Sequence, residues 1–250
     1  MYDNKLPSNV RTLESTFTDL EKGSKKIELS PERIGFIRKV LGIVGCQLIL
    51  SAILCIYSMI NLKFTIFLLD SNLFIFAPII GIILYLILVC NKRLQREYPT
   101  NYIFLAGITI CESVIPAILC GFIDPSIVSQ AFFITAGIVS VLFCFAYHTD
   151  TDFTTNKQVR IILITLPILC LISSLFLDSD LEILIYCGLG ALFYGIYLIV
   201  DLQLILGRIE NGNKLTYDDY IIASVEIYFD IIRLFVKILQ ILNSLKNSRK

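Results

Sequence analysis

The sequence predicts an all-α, polytopic membrane protein, and three observations carry that reading. The 250-residue chain is 56% hydrophobic, above the roughly 45–50% that soluble domains reach even with glycine counted, and its mean hydropathy is +0.77. Its apolar residues gather in runs of about 18 or more, the length that crosses a hydrocarbon core as a helix. No alternating strand pattern appears, and because a bilayer offers free backbone groups no partner, helices are the solution left.

Residues 1–35 are polar, with Lys5, Arg11, Lys22, Lys25, Lys26 and Arg33. No apolar core follows Met1, so this stretch reads as a disordered cytosolic tail and not a cleavable leader. The membrane domain is expected over 36–246, followed by a short basic tail at 247–250. Its first apolar segment, about 40–60, is preceded by Arg38 and Lys39 as cytosolic anchors. The second (73–90) and fourth (127–147) carry no charge. The third (101–123) holds one, Glu112, and the fifth runs over 161–177. Pro78, Pro116 and Pro167 lie inside these segments, which membrane helices tolerate better than soluble ones. The sixth (183–206) offers Gly188, Gly190, Ala191 and Gly195 for close helix approach and carries Asp201. A seventh runs from about 220 to 242 and carries Glu226, Asp230, Arg233 and Lys237.

Loop charge sets the expected orientation. Lys92, Arg93 and Arg96, then Lys157 and Arg160, then Arg208 and Lys214 fall on one side. The other side has Lys63 against Asp70, Asp124, Asp178, Asp180 and Glu182. The positive-inside rule puts the first set, with the N-terminal tail, in the cytosol. Whether the seventh segment spans or re-enters stays open. Zero net charge argues against nucleic acid as a partner. All eight cysteines lie in apolar segments without a C-x-x-C, so they read as small buried hydrophobes, and no metal or cofactor site is expected of them.

The charges inside the spans point to function. An ionisable group at mid-bilayer costs at least ~2.5–3.5 kcal/mol and by default marks a site. Glu226, Asp230, Arg233 and Lys237 are spaced 4, 3 and 4, which places them on one stripe of a helix turned to protein or water. At 1.5 Å per residue, Asp201 lies ~8 Å, Glu226 ~9 Å, Asp230 ~15 Å and Glu112 ~16 Å from the cytosolic side. Glu112 thus matches Asp230 in depth, and Lys237, near the helix end, is expected to snorkel. Two facing carboxylates cannot both ionise in low dielectric and share a proton, forming a latch. Deprotonated, they repel or attract a hard cation such as Ca²⁺. A structural ion pair of Asp230 with Arg233, or a proton shared between Glu226 and Asp230, is the plainer alternative.

Four segments also carry a resemblance. "FIRKVLGIVGCQL", "YPTNYIFLAGITICESVIPA", "GALFYGIYLIVDLQLILG" and "YIIASVEIYFDIIRLFVKILQIL" resemble, in order, the opening of the first span, the third span with its glutamate at Glu112, the sixth-span motif with its aspartate at Asp201, and the closing segment with its aspartate at Asp230 of the transmembrane Bax inhibitor motif family. The resemblance is greatest to its Golgi anti-apoptotic and Lifeguard branch. It implies six helices around a central seventh, a Ca²⁺ leak from internal stores gated by pH through the paired aspartates, and a role in restraining cell death. It further implies transient Ca²⁺ at Asp201 and Asp230, and a partner arginine falling on Arg96, with Arg93 second. Golgi or endoplasmic reticulum placement, or alternatively the plasma membrane, follows, as do the bilayer, Ca²⁺ and membrane proteins of cell-death control as partners. The chain departs from the pattern at Val200, Leu202, Glu226 and Arg233, so its path would hold an extra acid and an extra base.

Other classes fit less well. The contexts "IVD" and "YFD" lack the tyrosine–aspartate and glycine–x–glycine–aspartate of intramembrane aspartyl proteases, and the lone His148 has no serine elbow; an enzyme is not expected. A secondary transporter would show repeats and broken half-helices. A non-conducting regulator of apoptosis remains the nearest alternative.

Overall fold

A computed structural model describes residues 30–149, 151, 153, 161–162, 164–165, 168–169, 180–207 and 216–248. The chain divides into Met1–Pro31, almost wholly outside those residues, and Glu32–Lys250, which holds the helical bundle. Eight helices are described: α1 (Pro31–Ile60), α2 (Leu62–Asp70), α3 (Leu73–Cys90), α4 (Lys92–Arg96), α5 (Thr100–Phe122), α6 (Pro125–His148), α7 (Asp180–Leu206) and α8 (Tyr220–Asn247). Residues 161–162, 164–165 and 168–169 are also helical. The rest of the expected fifth span, and most of the expected loops at 148–160 and 207–219, lie outside the described residues.

α1 begins at Pro31, inside the stretch read as tail. A proline in the first turn with Glu32 beside it suits the free amides of a helix start. α2 is a helix that span-length hydropathy cannot reveal. Asn61 caps it through Phe64 N at 3.3 Å, and its Thr65 packs under Gly121 of α5, where an added Cβ would collide with the Ser58 and Thr65 side chains. α7 ends at Gly207 with φ +74°, a left-handed closure that glycine adopts without strain, and the Arg33 guanidinium lies against it.

Among the described residues, α1, α3, α5, α6 and α7 are long and apolar enough to cross a membrane. Their outer faces fit lipid: α3 alone exposes Ile75, Phe76, Ile79, Ile82, Ile83 and Leu86 at 47–56%, a surface that water would punish and hydrocarbon does not. α8 carries too many charges to qualify by hydropathy, yet it is the most enclosed element. Ile227, Tyr228, Phe229 and Asp230 are buried in succession, so it is covered on every side. It packs mainly on α7, α6 and α5 and touches α1 and α3 through side chains.

α8 crosses the bundle and does not re-enter. At its start, Tyr220 accepts from Asn101 of α5 at 3.4 Å and lies under Lys39 of α1 at 3.3 Å. At its far end, Lys246 meets Asp124, in the α5–α6 turn, at 2.6 Å. Its 28 residues give a length of ~42 Å, enough for a full bilayer. The two ends of α8 therefore lie on opposite faces. A tag inserted between Asn211 and Gly212 and one appended after Lys250 are expected to be reached by antibody from opposite sides of sealed vesicles; access to both from one side would contradict the crossing.

Candidate functional site: a carboxylate pair between α7 and α8

The stripe on α8 meets α7 along its length and α3 at its upper turn. Asp230, 5% exposed, comes within hydrogen-bonding reach of half-buried Asp201 on α7. Among the described residues, no N–H or hydroxyl donates to Asp230 Oδ2. Two carboxyl groups from different helices thus stand side by side in the α7–α8 seam.

The neighbouring groups sort by helix. Glu226, one turn before Asp230, accepts from the Tyr85 hydroxyl of α3 at 3.1 Å, and the Tyr85 ring packs edge-on to Phe229 at 5.3 Å. Tyr85 thus ties Glu226 toward α3 while Asp230 faces α7. Arg233 lies over the Phe229 ring at 4.8 Å and farther from the Tyr194 ring of α7, at 5.9 Å. It is an electrostatic neighbour of both Asp230 and Glu112. Glu112, on α5, lies against α3, where an added Cβ on Gly81 would stand 3.2 Å from its Oε1. So Glu112 joins the cluster through Arg233, and no direct contact with Asp230 is seen among the described residues.

Arg96 is not brought to the aspartates. At the end of α4, its guanidinium sits 3.2 Å from Asp219 and 3.8 Å from Asp218, just before α8. Arg93 is further away still, paired with Glu97 on its own helix at 3.2 Å. The Thr216 hydroxyl and amide both donate to Asp219, the amide at 3.0 Å. Partial burial opposes the charge on Asp219, but the Thr216 donors and Arg96 outweigh it and hold the carboxyl below its ordinary range. A depressed carboxylate contributes stability above its unfolded pKa of about 3.9 and loses it only as pH falls through the lower folded value. The Arg96–Asp219 clamp is therefore charged throughout pH 5–8.

Sequence reasoning passed over a second polar system. Gln47 and Ser51 of α1 stand opposite Thr109 and Ser113 of α5, with the Tyr228 hydroxyl of α8 between them. Gln47 donates to Thr109 at 3.0 Å. Ser51 lies 2.7 Å from Ser113 and 2.8 Å from Tyr228. The signal was present as two polar pairs at i, i+4 in the first and third spans, a spacing that puts each pair on one helix face. Of the small residues expected to allow close approach on α7, Gly190 does so: an added Cβ would meet the Lys237 stem at 3.0 Å, whereas Gly188 has nothing within 4 Å. The Lys237 ammonium rests on the ring of Tyr186, one turn before Gly190 on α7, at 4.0 Å.

Among the described residues, no three carboxylate, thiol or imidazole groups converge to hold a metal ion. Asp201 and Asp230 offer two carboxyl groups, a set that suits a passing cation better than a resident one.

Together these features define a polytopic all-helical membrane protein with a carboxylate pair between α7 and its most enclosed helix, α8. The family model for "Inhibitor of apoptosis-promoting Bax1" matches residues 33–247, and the chain belongs to that Bax inhibitor family. A BI1-like protein of Arabidopsis thaliana is 30% identical over 90% of this chain and 89% of its own length. The Golgi anti-apoptotic protein of Vaccinia virus (strain Lister) is 28% identical over 84% and 85%, and human Protein lifeguard 3 is 27% identical over 83% and 68%.

Two expectations follow from the geometry. Asp219→Asn should weaken an exposed clamp by no more than ~1 kcal/mol and leave the pH profile of any flux between pH 5 and 8 unmoved, read by thermal unfolding and vesicle assay. Glu112→Gln and Arg233→Asn should each destabilise the protein, and the double variant less than their sum. A coupling of about 0.5–3 kcal/mol is expected in thermal melts; additivity would mean that the two side chains do not interact.

Proposed function

We propose that this chain is a Ca²⁺ leak protein of internal stores that restrains cell death, and that Asp201 and Asp230 form its proton-sensitive latch. The observation that carries the reading is the pair itself: two carboxyl groups from different helices, within hydrogen-bonding reach, where among the described residues no group donates to Asp230 Oδ2. The restraint of cell death and a Golgi or endoplasmic reticulum location rest on family membership and on relatives called anti-apoptotic. No enzymatic step is proposed.

The mechanism is electrostatic. With one shared proton, the pair joins α7 to α8 across the seam and the leak is low. Loss of that proton leaves two like charges in a medium of low dielectric, and their repulsion loosens the seam. The freed carboxylates then attract the hard, oxygen-seeking Ca²⁺ ion. Flux therefore rises with pH. Glu226, held by Tyr85, adds negative charge one turn away and favours keeping the shared proton. Arg233 opposes it from the other side by favouring the ionised pair. Arg96 acts at the mouth through Asp219 and takes no part in the titration.

The test is Ca²⁺ flux from liposomes holding the purified protein alone, across a pH series. Asp201→Asn and Asp230→Asn each delete the like-charge repulsion, so each is expected to flatten the pH dependence. Both should remain folded, since a neutral amide costs less in the bilayer than a charge. If both variants leaked with the parent's pH profile, the latch would be lost as an explanation.

A further inference from the structure

The polar stripe of α8 does not stop at Lys237. Gln240, Ser244 and Asn247 continue it at spacings of 3, 4 and 3, so one helix face is polar from Glu226 to the end of α8. This lower part borders a cavity of ≈ 380 Å³ lined by Gln240, Asn243 and Ser244 of α8 and Tyr186 of α7, with the apolar Leu119 and Ile183 also in its wall. The cavity lies on the face where Lys246 meets Asp124, opposite the Arg96 clamp. Along α8, Arg233 and Lys237 stand between the carboxylate pair and this vestibule.

These two cations are held in an unusual way. Among the described residues, neither is in an ion pair; both rest on aromatic faces, Arg233 on Phe229 and Tyr194 and Lys237 on Tyr186. Arg233 is still shared electrostatically with Asp230 and Glu112. Lys237 has the Cys187 thiol as its polar neighbour on α7, and its stem lies against Gly190, where no side chain displaces it. An aromatic face holds a cation without cancelling its charge.

We propose that Lys237, with Arg233 one turn deeper, forms a positive barrier in the α7–α8 seam that sets which cations pass between the vestibule and the Asp201–Asp230 pair. The barrier rests on the leak reading above and deepens it. Fixed charges lining a narrow path select by sign and by valence. A divalent ion feels twice the repulsion of a monovalent one at the same distance. The parent protein should therefore discriminate against Ca²⁺ relative to K⁺ at this step, and removing the charge should relieve the divalent ion more.

The experiment uses the full chain in proteoliposomes at one fixed pH, with Ca²⁺ and K⁺ flux measured in parallel. Lys237→Gln, which leaves the Arg233 beside the pair in place, should raise Ca²⁺ flux several-fold, with a smaller rise for K⁺. Lys237→Arg keeps the charge and should stay near the parent. Lys237→Met repeats the test with an apolar stem of similar length. The parent itself, which needs no substitution, should pass K⁺ faster than Ca²⁺. The barrier is overturned if folded Lys237→Gln and Lys237→Met both pass Ca²⁺ no faster than the parent, or if the parent prefers Ca²⁺. Asp201→Asn in the same vesicles separates the two failures. If it still changes Ca²⁺ flux, only the barrier is lost; if it does not, the leak reading goes as well.

Discussion

The cost of placing charge in hydrocarbon governs this fold. α8 carries Glu226, Asp230, Arg233 and Lys237, and on insertion scales four such groups together cost about 10–14 kcal/mol at mid-span. The fourteen Ile, Leu, Val and Phe residues between 220 and 242 return about 4–8 kcal/mol on the same scale. Lipid alone cannot hold such a helix. The other helices answer with groups fitted to each charge: Asp201 and Tyr194 from α7, Tyr85 from α3, and Tyr186 further along α7. Their outward faces can then be almost wholly apolar.

Acidic residues in this protein work in two environments, and the surroundings decide what each does. Asp219 is at the mouth, beside water, with three donors turned toward it; its charge is fixed and it clamps Arg96. Asp230 lies in the seam with another carboxyl group for company. One site surrounds a carboxylate with donors; the other sets two carboxyl groups side by side. Arg96 belongs to the first, although the family resemblance had assigned it to the second. The base nearest the pair is Arg233, contributed by α8 itself.

Much of this was legible beforehand. Long apolar runs marked the spans because bilayer thickness fixes their length. The stripe on α8 followed from helical spacing, whereas the pairing of Asp201 with Asp230 came only as what the resemblance implies, depth alone leaving Asp201's partner open. What escaped has physical reasons. α2 is shorter than any spanning window. The crossing of α8 was undecidable because its tail is basic while its length is ample, and the Lys246–Asp124 contact that settles it joins residues far apart in sequence. Depth arithmetic placed Glu112 level with Asp230 but said nothing about azimuth, and azimuth is what turns it to Gly81 and Arg233. The Gln47–Thr109 and Ser51–Ser113–Tyr228 contacts went unseen because small polar residues are too common in membrane helices to stand out individually.

The enclosure of α8 also constrains how the protein is made. A segment whose charges outweigh its apolar residues has little tendency to leave a translocation channel for lipid unaided. It gains a home only when Asp201, Tyr85 and the serine and threonine face of α5 are in place to receive it. Those partners all precede α8 in the chain, so synthesis delivers the receptacle before the helix that fills it. Damage to the receiving face, for instance at Tyr228's partners Ser51 and Ser113, would then act first on membrane integration and only afterwards on any property of the finished molecule.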